Sequence, residues 1–267
     1  MQSSYQEVLQ RIEAALNAAT VVFSRFTAGA IEAEYKVGHD PVTEADRALD
    51  AALKQHLLRP GEGWLSEETA DNPERLEKSR VWIVDPLDGT REFVKGIPEF
   101  CVSIGYIENG RPVAGGIHNP ATKQTFLGAI DSGVTYNGKP VRTTTATRLE
   151  GARVLASRSE LKRGEWEQFK DAAFETVAMG SVAYKLGLVS AGLAEATFTL
   201  TPKHEWDVAA GVALVLSGGG FVRSIGSGEL RFNQQNPLLP GLIACGSQLG
   251  DELVATLEAP LKTASQA

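Results

Sequence analysis

The sequence is poor in cysteine, and its two cysteines, Cys101 and Cys245, lie far apart without CxxC spacing. This excludes a fold built on disulfides, and the scattered histidines argue against a zinc site. Both cysteines stand in apolar segments, which predicts buried, reduced thiols. No segment approaches the roughly 18 apolar residues of a membrane span, and the amino terminus lacks the basic and apolar regions of a secretion signal. We therefore expect a cytoplasmic protein without a membrane partner.

Positive charge is also scarce, since 26 lysines and arginines stand against 33 aspartates and glutamates, for a net charge of −7. No long basic run is present, so binding to a nucleic-acid polymer is not expected. An acidic protein that handles an anionic substrate must supply positive charge locally, and a bound cation does this most economically.

What is present is the composition of an ordinary globular protein, with 43% hydrophobic and 22% charged residues over 267 positions, which excludes disorder. Apolar residues at helical spacing predict an amphipathic helix that ends near Gly29. A second helix is predicted to begin at Thr43, with Asp46 reaching back in a capping box. Apolar strands and a hairpin signal at Asn109-Gly110 follow. Residues 1–150 are therefore predicted to form an α+β subdomain, two helices against a mostly antiparallel sheet.

After residue 150 strands and helices alternate, which predicts an α/β subdomain over residues 151–267. The pattern includes a helix around Glu160–Phe169 and an apolar helix at Asp207–Leu216. The glycines at 218–220 follow that helix and predict its C-terminal cap and a turn. No low-complexity linker separates the two subdomains, so we expect the functional site between them.

Three groups of acidic residues border apolar segments rather than charged runs: Glu67-Glu68, the pair Asp85 and Asp88, and Asp207. Carboxylates in such places are costly to bury unpaired, which leaves salt bridges, helix capping or metal ligation as explanations. Taken singly, capping or pairing is the more common role.

The residues at the end of the predicted strand before Asp85 are more specific. Asp85 and Asp88 can face one point, and the Leu87 carbonyl lies between them. An all-oxygen set of ligands suits Mg²⁺ or Mn²⁺. Gly89 allows a ligand to approach the backbone and Thr90 opens a predicted helix, so their amides can hold a phosphate.

Four segments resemble motifs of one family, the Mg²⁺-dependent, lithium-sensitive phosphomonoesterases related to inositol monophosphatase. Residues 82–90 read WIVDPLDGT and resemble its WIxDPxDGT signature, and residues 206–211 read WDVAAG and resemble WDxAAG. Residues 65–68 (LSEE) match its upstream acidic motif, and residues 40–46 (DPVTEAD) match DxVTxAD. The resemblance implies a layered α-β-α-β-α sandwich of the sugar phosphatase type, shared with fructose-1,6-bisphosphatase.

The resemblance also implies a role for each matched position, together with two to three Mg²⁺ ions for which Mn²⁺ can substitute. The implied metal ligands are Glu67, Asp85, the Leu87 carbonyl, Asp88 and Asp207. In the family a water on the first metal attacks phosphorus, and the pair Thr90 and Asp46 activates it. The implied catalytic residues are Asp46, Glu67 and Thr90. Metal ions suit this reaction because they generate a nucleophile near neutral pH and neutralise phosphate charge.

Substrate contacts are implied at Asp88, Gly89, Thr90, Ser157, Arg158, Ser181, Lys185 and Asp207. The segment Ala156–Ser159, with LSEE and DGTREF, resembles the bacterial 3′(2′),5′-bisphosphate nucleotidase (CysQ-like) branch. Lys185 resembles a nucleotidase lysine that approaches the second phosphate of the substrate, and the alternative for it is a solvated helix lysine.

Inositol phosphatases have a glutamate seven residues before the aspartate that matches Asp207, and it accepts hydrogen bonds from inositol hydroxyls. This chain has Leu200 there, and Glu205 is the only nearby acid. A site built to hydrogen-bond a hydroxyl discriminates through that bond, so the absence of the acceptor weighs against inositol as the preferred substrate. Lys203 and His204 are interpreted as exposed loop residues.

These features predict a phosphomonoesterase that hydrolyses the 3′-phosphate of 3′-phosphoadenosine 5′-phosphate to AMP and phosphate. The alternative is an inositol-1-phosphate or broad-specificity sugar phosphatase. A noncatalytic metal-binding regulatory module is an alternative from a different class. The expected partner is a small phosphate ester, and the resemblance adds a homodimer as an expectation.

Overall fold

The computed structural model describes residues 4–35, 41–226 and 229–264. Asp40, the first residue of the DPVTEAD segment, lies outside the described residues. Residues 1–3 of the first predicted subdomain and residues 265–267 of the second also lie outside them. The α-helices are α1 (Gln6–Phe23), α2 (Glu44–Leu57), α3 (Thr90–Val94), α4 (Arg158–Lys162), α5 (Val182–Ser190), α6 (Glu205–Ser217) and α7 (Gly250–Ala264). Short 3₁₀ helices lie at Pro73–Glu77, Glu167–Phe169 and Ser247–Leu249.

The described strands fall into two large sheets and two short pairs. In chain order they are β1 (Glu34–Tyr35), β2 (Pro41–Val42), β3 (Gly63–Ser66), β4 (Arg80–Asp88), β5 (Cys101–Glu108), β6 (Arg111–Asn119), β7 (Gln124–Ala129), β8 (Gly133–Tyr136), β9 (Lys139–Val141), β10 (Arg153–Ser157), β11 (Glu175–Met179), β12 (Ala196–Thr199), β13 (Lys203–His204), β14 (Gly220–Ser224), β15 (Leu238–Leu239) and β16 (Leu242–Gly246). The short pairs are β1 with β2 and β13 with β15.

The helices and sheets stack in five layers. Helices α1 and α2 pack on one face of a seven-stranded sheet, and α5 and α6 lie between this sheet and a five-stranded one. Helix α7 covers the outer face of the five-stranded sheet. The α-β-α-β-α sandwich implied by the resemblance is confirmed. A division into subdomains near residue 150 stays a prediction, because the middle core joins apolar residues from both halves.

The first sheet has the order β3-β4-β5-β6-β7-β8-β9, with β3 parallel to β4 and the other neighbours antiparallel. The predicted hairpin at Asn109-Gly110 connects β5 to β6, and both residues have positive φ, of 51° and 76°. Tight hairpin turns need such values, which asparagine and glycine adopt readily. The predicted capping box of α2 is confirmed at Thr43 and Asp46.

The second sheet has the order β11-β10-β12-β16-β14 and is mixed, because β10 is parallel to β11 and β12 whereas β16 is antiparallel to β12 and β14. The single helix predicted around Glu160–Phe169 is wrong. Helix α4 ends at Lys162, and Gly164 has a φ of 77° before a separate 3₁₀ turn at Glu167–Phe169. A left-handed glycine terminates a helix, which explains the break.

Two smaller sequence predictions, the buried free cysteines and the end of α6, are confirmed. Cys101 and Cys245 are buried and free. Gly218 caps α6, and Gly219 turns the chain with a φ of 77°. Within residues 4–35, 41–226 and 229–264, no helix is both long enough and apolar enough to cross a membrane.

Helix α6 lies unusually close to its neighbours because small residues stand at each contact. A Cβ added to Gly105 of β5 would lie 2.7 Å from the Cβ of Ala209, and one added to Gly115 of β6 would lie 2.6 Å from the Ala210 carbonyl. On the other side, a Cβ on Gly211 would lie 2.3 Å from the Cβ of Leu186 in α5. The AAG of the second motif therefore allows α6 to approach both the first sheet and α5.

Substitution Gly211→Ala should destabilise the protein. The added methyl group cannot fit against Leu186 unless α5 and α6 move apart, and overpacking of this kind costs about 1–3 kcal/mol. Urea unfolding followed by circular dichroism measures the change. An unchanged unfolding midpoint would show that the two helices do not need their close approach.

Candidate metal centre and active site

Asp85 and Asp88 reach the same cavity because strand β4 carries a bulge. Asp85 pairs with Ser103 and Asp88 pairs with Cys101, so three steps along β4 match two steps along β5. Residues three apart in a regular strand point to opposite faces, and the extra residue removes this difference. The predicted end of this strand at Asp85 is wrong, since β4 continues through the bulge to Asp88.

Two further carboxylates approach Asp85 from other elements. Glu67 directly follows β3, the parallel neighbour of β4, and Asp207 lies in the first turn of α6. Carboxylate oxygens of Glu67, Asp85 and Asp207 all lie within 4.8 Å of one another. Sheet pairing and the position of α6 thus bring together three acids that are distant in the sequence.

These acids repel one another in a buried environment. Burial raises the pKa of Asp85, and the charges of Glu67 and Asp88 raise it further. Burial likewise raises the pKa of Asp207, again with Asp88 and Glu67 contributing. Like charges at this separation resist simultaneous ionisation unless a positive charge joins them.

The donor set fits a hard divalent cation. Glu67, Asp85 and Asp207 offer only oxygen atoms, which are the ligands preferred by Mg²⁺ and Mn²⁺. The described members of this cluster include no histidine or cysteine, the usual zinc ligands. The residues present therefore suit the Mg²⁺ that the resemblance implies.

Asp88 stands slightly apart from the group of three. Its Oδ2 accepts hydrogen bonds from the Ser181 hydroxyl at 2.7 Å and the Ala183 amide at 2.6 Å. These bonds attach the carboxylate to the start of α5 and oppose the rise in the pKa of Asp88 that burial causes. Asp88 therefore links the metal-ligand candidates of the first sheet to the helix that carries Lys185.

Asp46 joins a helix cap to the predicted catalytic pair. Its Oδ2 accepts hydrogen bonds from the Thr43 amide at 2.7 Å and the Thr43 hydroxyl at 2.6 Å. Its Oδ1 lies 3.0 Å from Thr90 Oγ1, which is also 2.9 Å from the Leu87 carbonyl. The threonine hydroxyl has one proton, so it donates to one of these two acceptors at a time.

Gly89 is required where the chain turns from β4 into α3. Its φ is 94°, and a Cβ at this position would lie 2.8 Å from the Glu99 carbonyl oxygen. A side chain here would be strained and would also clash with the backbone. The glycine therefore keeps Thr90 close to Asp88.

One cavity of about 540 Å³ opens onto these residues. Of the twelve residues predicted for the site, all except Asp46 line it. Its ionisable lining residues are Glu67, Asp85, Asp88, Arg91, Glu92, Arg158, Arg163, Lys185, Lys203, His204 and Asp207. Most of the acids come from the first half of the chain, and the second half contributes one carboxylate and most of the cations.

The interpretation of Lys185 as a solvated helix lysine is wrong. Its side chain lines the cavity, yet the residue is only 2% exposed because α5 lies between the two sheets. Burial lowers the pKa of Lys185 to about 8, although the nearby charges of Glu160 and Asp88 act against this effect. Within the part of the chain that the structure describes, the Lys185 ammonium makes no hydrogen bond or ion pair.

Ser157 and Arg158 begin α4 at the edge of the cavity. Ser157 caps this helix. The Arg158 guanidinium donates two hydrogen bonds to Glu99, at 2.6 and 2.5 Å, and Glu99 also accepts one from the Gly180 amide at 2.7 Å. A phosphate contact by Arg158 would have to share this guanidinium with Glu99.

The sequence patterns do not predict that Lys203 and Glu160 lie at or near the cavity, and they predict the surroundings of His204 only in part. Lys203 is not an exposed loop residue, because β13 pairs with β15 and the lysine lines the cavity half-buried. His204 is exposed as expected, but its ring stacks on Trp206 with centroids 4.4 Å apart. Glu160 is fully buried behind Lys203. Lys203 is close to Asp207 in the sequence, and this closeness could have predicted that it lies near the site. Nothing in the sequence around Glu160 predicts its position near the cavity.

The chain is similar to known proteins over most of its length. The model of the inositol monophosphatase family matches residues 4–260. Inositol monophosphatase 3 of Solanum lycopersicum is 34% identical over 202 residues, which cover 71% of this chain and 75% of that protein.

Two solved structures extend the likeness to nearly the whole chain. The extragenic suppressor protein suhB of Bartonella henselae aligns with a TM-score of 0.81 and 27% identity, covering 95% of this chain and 99% of its own. CysQ of Bacteroides thetaiotaomicron, described as a bacterial member of the inositol monophosphatase family, aligns with a TM-score of 0.78 and 26% identity, covering 91% and 98%.

Divalent cations should stabilise the protein through the carboxylate cluster. Mg²⁺ at 100 times its Kd would add about 2.7 kcal/mol to the free energy of unfolding, and Asp85→Asn should remove most of this gain. The matched control Asp171→Asn changes an exposed acid far from the cluster and should keep it. Thermal unfolding with MgCl₂ or with EDTA measures both. An equal Mg²⁺ shift in Asp85→Asn would contradict the assignment of the site.

Proposed function

The chain belongs to the inositol monophosphatase family, and within it we propose that this phosphatase removes the 3′-phosphate of 3′-phosphoadenosine 5′-phosphate, giving AMP and phosphate. The observation that carries the proposal is the distribution of charge around the cavity. Acids that suit metal ions come mostly from the first half, and the second half adds Arg158, Lys185 and Lys203. A substrate with a second phosphate needs such cations, whereas a neutral inositol ring does not.

The family is metal-dependent, and we propose Mg²⁺ as its ion here, in two to three positions. The proposed ligands are Glu67, Asp85, the Leu87 carbonyl, Asp88 and Asp207. When bound, Mg²⁺ would neutralise phosphate charge and make water a better nucleophile. The carboxylates would hold these cations, and the positive charge of the cations would allow an acidic protein to bind an anionic ester in this cavity.

Thr90, Asp46 and Glu67 are the proposed catalytic residues. When Thr90 Oγ1 donates its proton to Asp46 Oδ1, at 3.0 Å, its lone pairs can accept a hydrogen bond from an attacking water. Asp46 is itself fixed by Thr43, so an acceptor for the Thr90 proton is in position before the substrate arrives. Glu67 lies beside Asp85, and its proposed role is to help orient the same water.

Recognition of a nucleoside is supported by an aromatic pair at the cavity. His204 and Trp206 are stacked with an angle of 6° between their rings, and both line the cavity. A nucleobase can stack on such a surface, which a small polyol cannot exploit equally. Neither candidate position offers a free acceptor for inositol hydroxyls. Leu200 is apolar and packs against the outer core, and Glu205 accepts hydrogen bonds from the amides of residues 233 and 234.

Hydrolysis of inositol 1-phosphate is the second candidate. The observation in its favour is the name of the curated relatives, such as inositol monophosphatase 3 of Solanum lycopersicum. Lithium inhibition belongs to both proposals. A homodimer and a cytoplasmic location stay predictions.

The substrate proposal predicts an order of catalytic efficiency. Phosphate release with Mg²⁺ should have a kcat/KM at least about 10-fold higher for 3′-phosphoadenosine 5′-phosphate than for AMP or inositol 1-phosphate, because one additional charged contact contributes about 1.5–3 kcal/mol. Fructose 1,6-bisphosphate serves as a bisphosphate without a base. A preference for inositol 1-phosphate would favour the second candidate, and no release from any ester would favour a noncatalytic module.

The proposed role of Thr90 predicts a large loss of rate on Thr90→Ala. Removal of a group that positions or accepts a proton costs about 100- to 10,000-fold in kcat. Thr90→Ser is the matched control, because it keeps the hydroxyl beside Asp46 and should retain most of the rate. Single-turnover measurements at saturating Mg²⁺ separate this effect from metal binding. Equal losses in both variants would contradict the role of the hydroxyl.

A further inference from the structure

We propose that Lys203, positioned by the buried carboxylate of Glu160, contacts the second phosphate of the substrate and determines the preference for a bisphosphate. This inference rests on the proposed function, which it deepens. It concerns two residues that lie outside the four family motifs described above. Glu160 and Lys203 are 43 positions apart in the sequence and become neighbours only in the folded protein.

Glu160 is an unusual anchor, because it is a fully buried acid whose hydrogen bonds come from neutral groups. Its Oε1 accepts hydrogen bonds from the hydroxyls of Thr199 and Thr201, the latter at 2.8 Å, and its Oε2 accepts one from Trp166 Nε1 at 3.0 Å. Burial would raise its pKa, but these bonds and the charge of Lys203 lower it overall. Glu160 therefore holds a full negative charge beneath the cavity.

Lys203 lies between this charge and the cavity. Its Nζ is 3.7 Å from Glu160 Oε1 and donates a hydrogen bond to Thr201 Oγ1 at 3.0 Å. An ammonium has three donors, and within the described residues this is the only hydrogen bond that it makes. Two N–H groups thus remain for an anion in the cavity.

The backbone of Lys203 is fixed as well as its side chain. Strand β13 pairs with β15, so that Lys203 stands opposite Leu239. Leu239 is itself buried in the middle core. A long side chain normally loses conformational freedom when it binds an anion, and here much of that freedom is already lost before binding.

Lys203 does not act alone, since the ammonium of Lys185 faces the same cavity. Each charge disfavours the other, and the presence of Lys203 contributes to the lowered pKa of Lys185. Of the negative charges that stabilise the Lys185 ammonium, that of Glu160 contributes most, followed by that of Asp88, which is also a proposed metal ligand, and that of Glu92. An anion between the two ammonium groups would complete the charge balance, and the second phosphate of the substrate supplies it.

The test compares two substrates that differ only in the second phosphate. Wild-type protein and Lys203→Met are assayed with 3′-phosphoadenosine 5′-phosphate and with 3′-AMP, which lacks the 5′-phosphate. The ratio of the two kcat/KM values should fall about 10- to 100-fold in Lys203→Met, as expected for one lost charge-assisted hydrogen bond. Lys170→Met, at an exposed lysine away from the cavity, is the matched control and should keep the wild-type ratio.

The role of Glu160 is tested by a double-mutant cycle. Glu160→Gln should lower the same ratio in the wild-type background and should not lower it further in the Lys203→Met background, because Glu160 acts through Lys203. A merely structural role would change the ratio equally in both backgrounds, or change only the stability, and would overturn the positioning role. If Glu160→Gln does not fold, the comparison of Lys203→Met with Lys170→Met still decides the role of Lys203.

A binding experiment separates failure of this inference from failure of the proposed function. Calorimetric titration with AMP and with adenosine, in EDTA, measures the contribution of the 5′-phosphate without turnover. Wild-type protein should bind AMP more tightly than adenosine, and Lys203→Met should lose about 10-fold or more in AMP affinity. If the wild type shows no kinetic preference for the bisphosphate, yet AMP binding depends on Lys203, the proposed function is overturned and the anion contact stands. If Lys203→Met binds AMP as wild type does, or if wild type binds AMP no better than adenosine, the inference is overturned.

Discussion

The close approach of α6 to the first sheet and to α5 is the constraint on which the site depends. It is possible because Ala209, Ala210 and Gly211 leave room for backbone on both sides of the helix. A helix at an ordinary distance would hold Asp207 too far from Asp85 to complete the carboxylate cluster. The same small residues thus determine the thickness of the middle layer and the geometry of the chemistry. This explains why a motif with one acidic residue also contains two alanines and a glycine.

The carboxylate cluster is an arrangement that costs stability when no cation is present. Its members are held by features that serve the fold at the same time: the bulge in β4, the end of β3 and the first turn of α6. Asp46 also combines two functions, since its Oδ2 caps α2 while its Oδ1 lies 3.0 Å from Thr90 Oγ1. Helix capping and the proposed chemistry are therefore not competing explanations for this acid, because they use different oxygens of the carboxylate.

The two halves of the chain contribute different charges to one cavity. The first half supplies most of the acids that suit metal ions, and the second supplies Asp207 together with Lys185 and Lys203. A division of this kind lets the reaction and the choice of substrate vary separately.

The sequence by itself determined the acids, their order and many of the helices and strands, because periodic apolar residues, turn residues and short motifs are local signals. The layered fold was implied by the resemblance of four motifs to a known family, and the tertiary structure confirms it. The sequence correctly predicted the capping box at Thr43 and the hairpin at Asn109-Gly110. It could not predict the bulge that extends β4, since a bulge depends on the register with β5. Nor could it show that Lys185 is buried, because burial depends on how α5 packs between the sheets. It also could not show that Glu160 lies beside Lys203, because these residues are 43 positions apart and are brought together by the packing of α4 and β13. Only the tertiary structure decided these points, since the charge that a side chain meets is fixed by its neighbours in space.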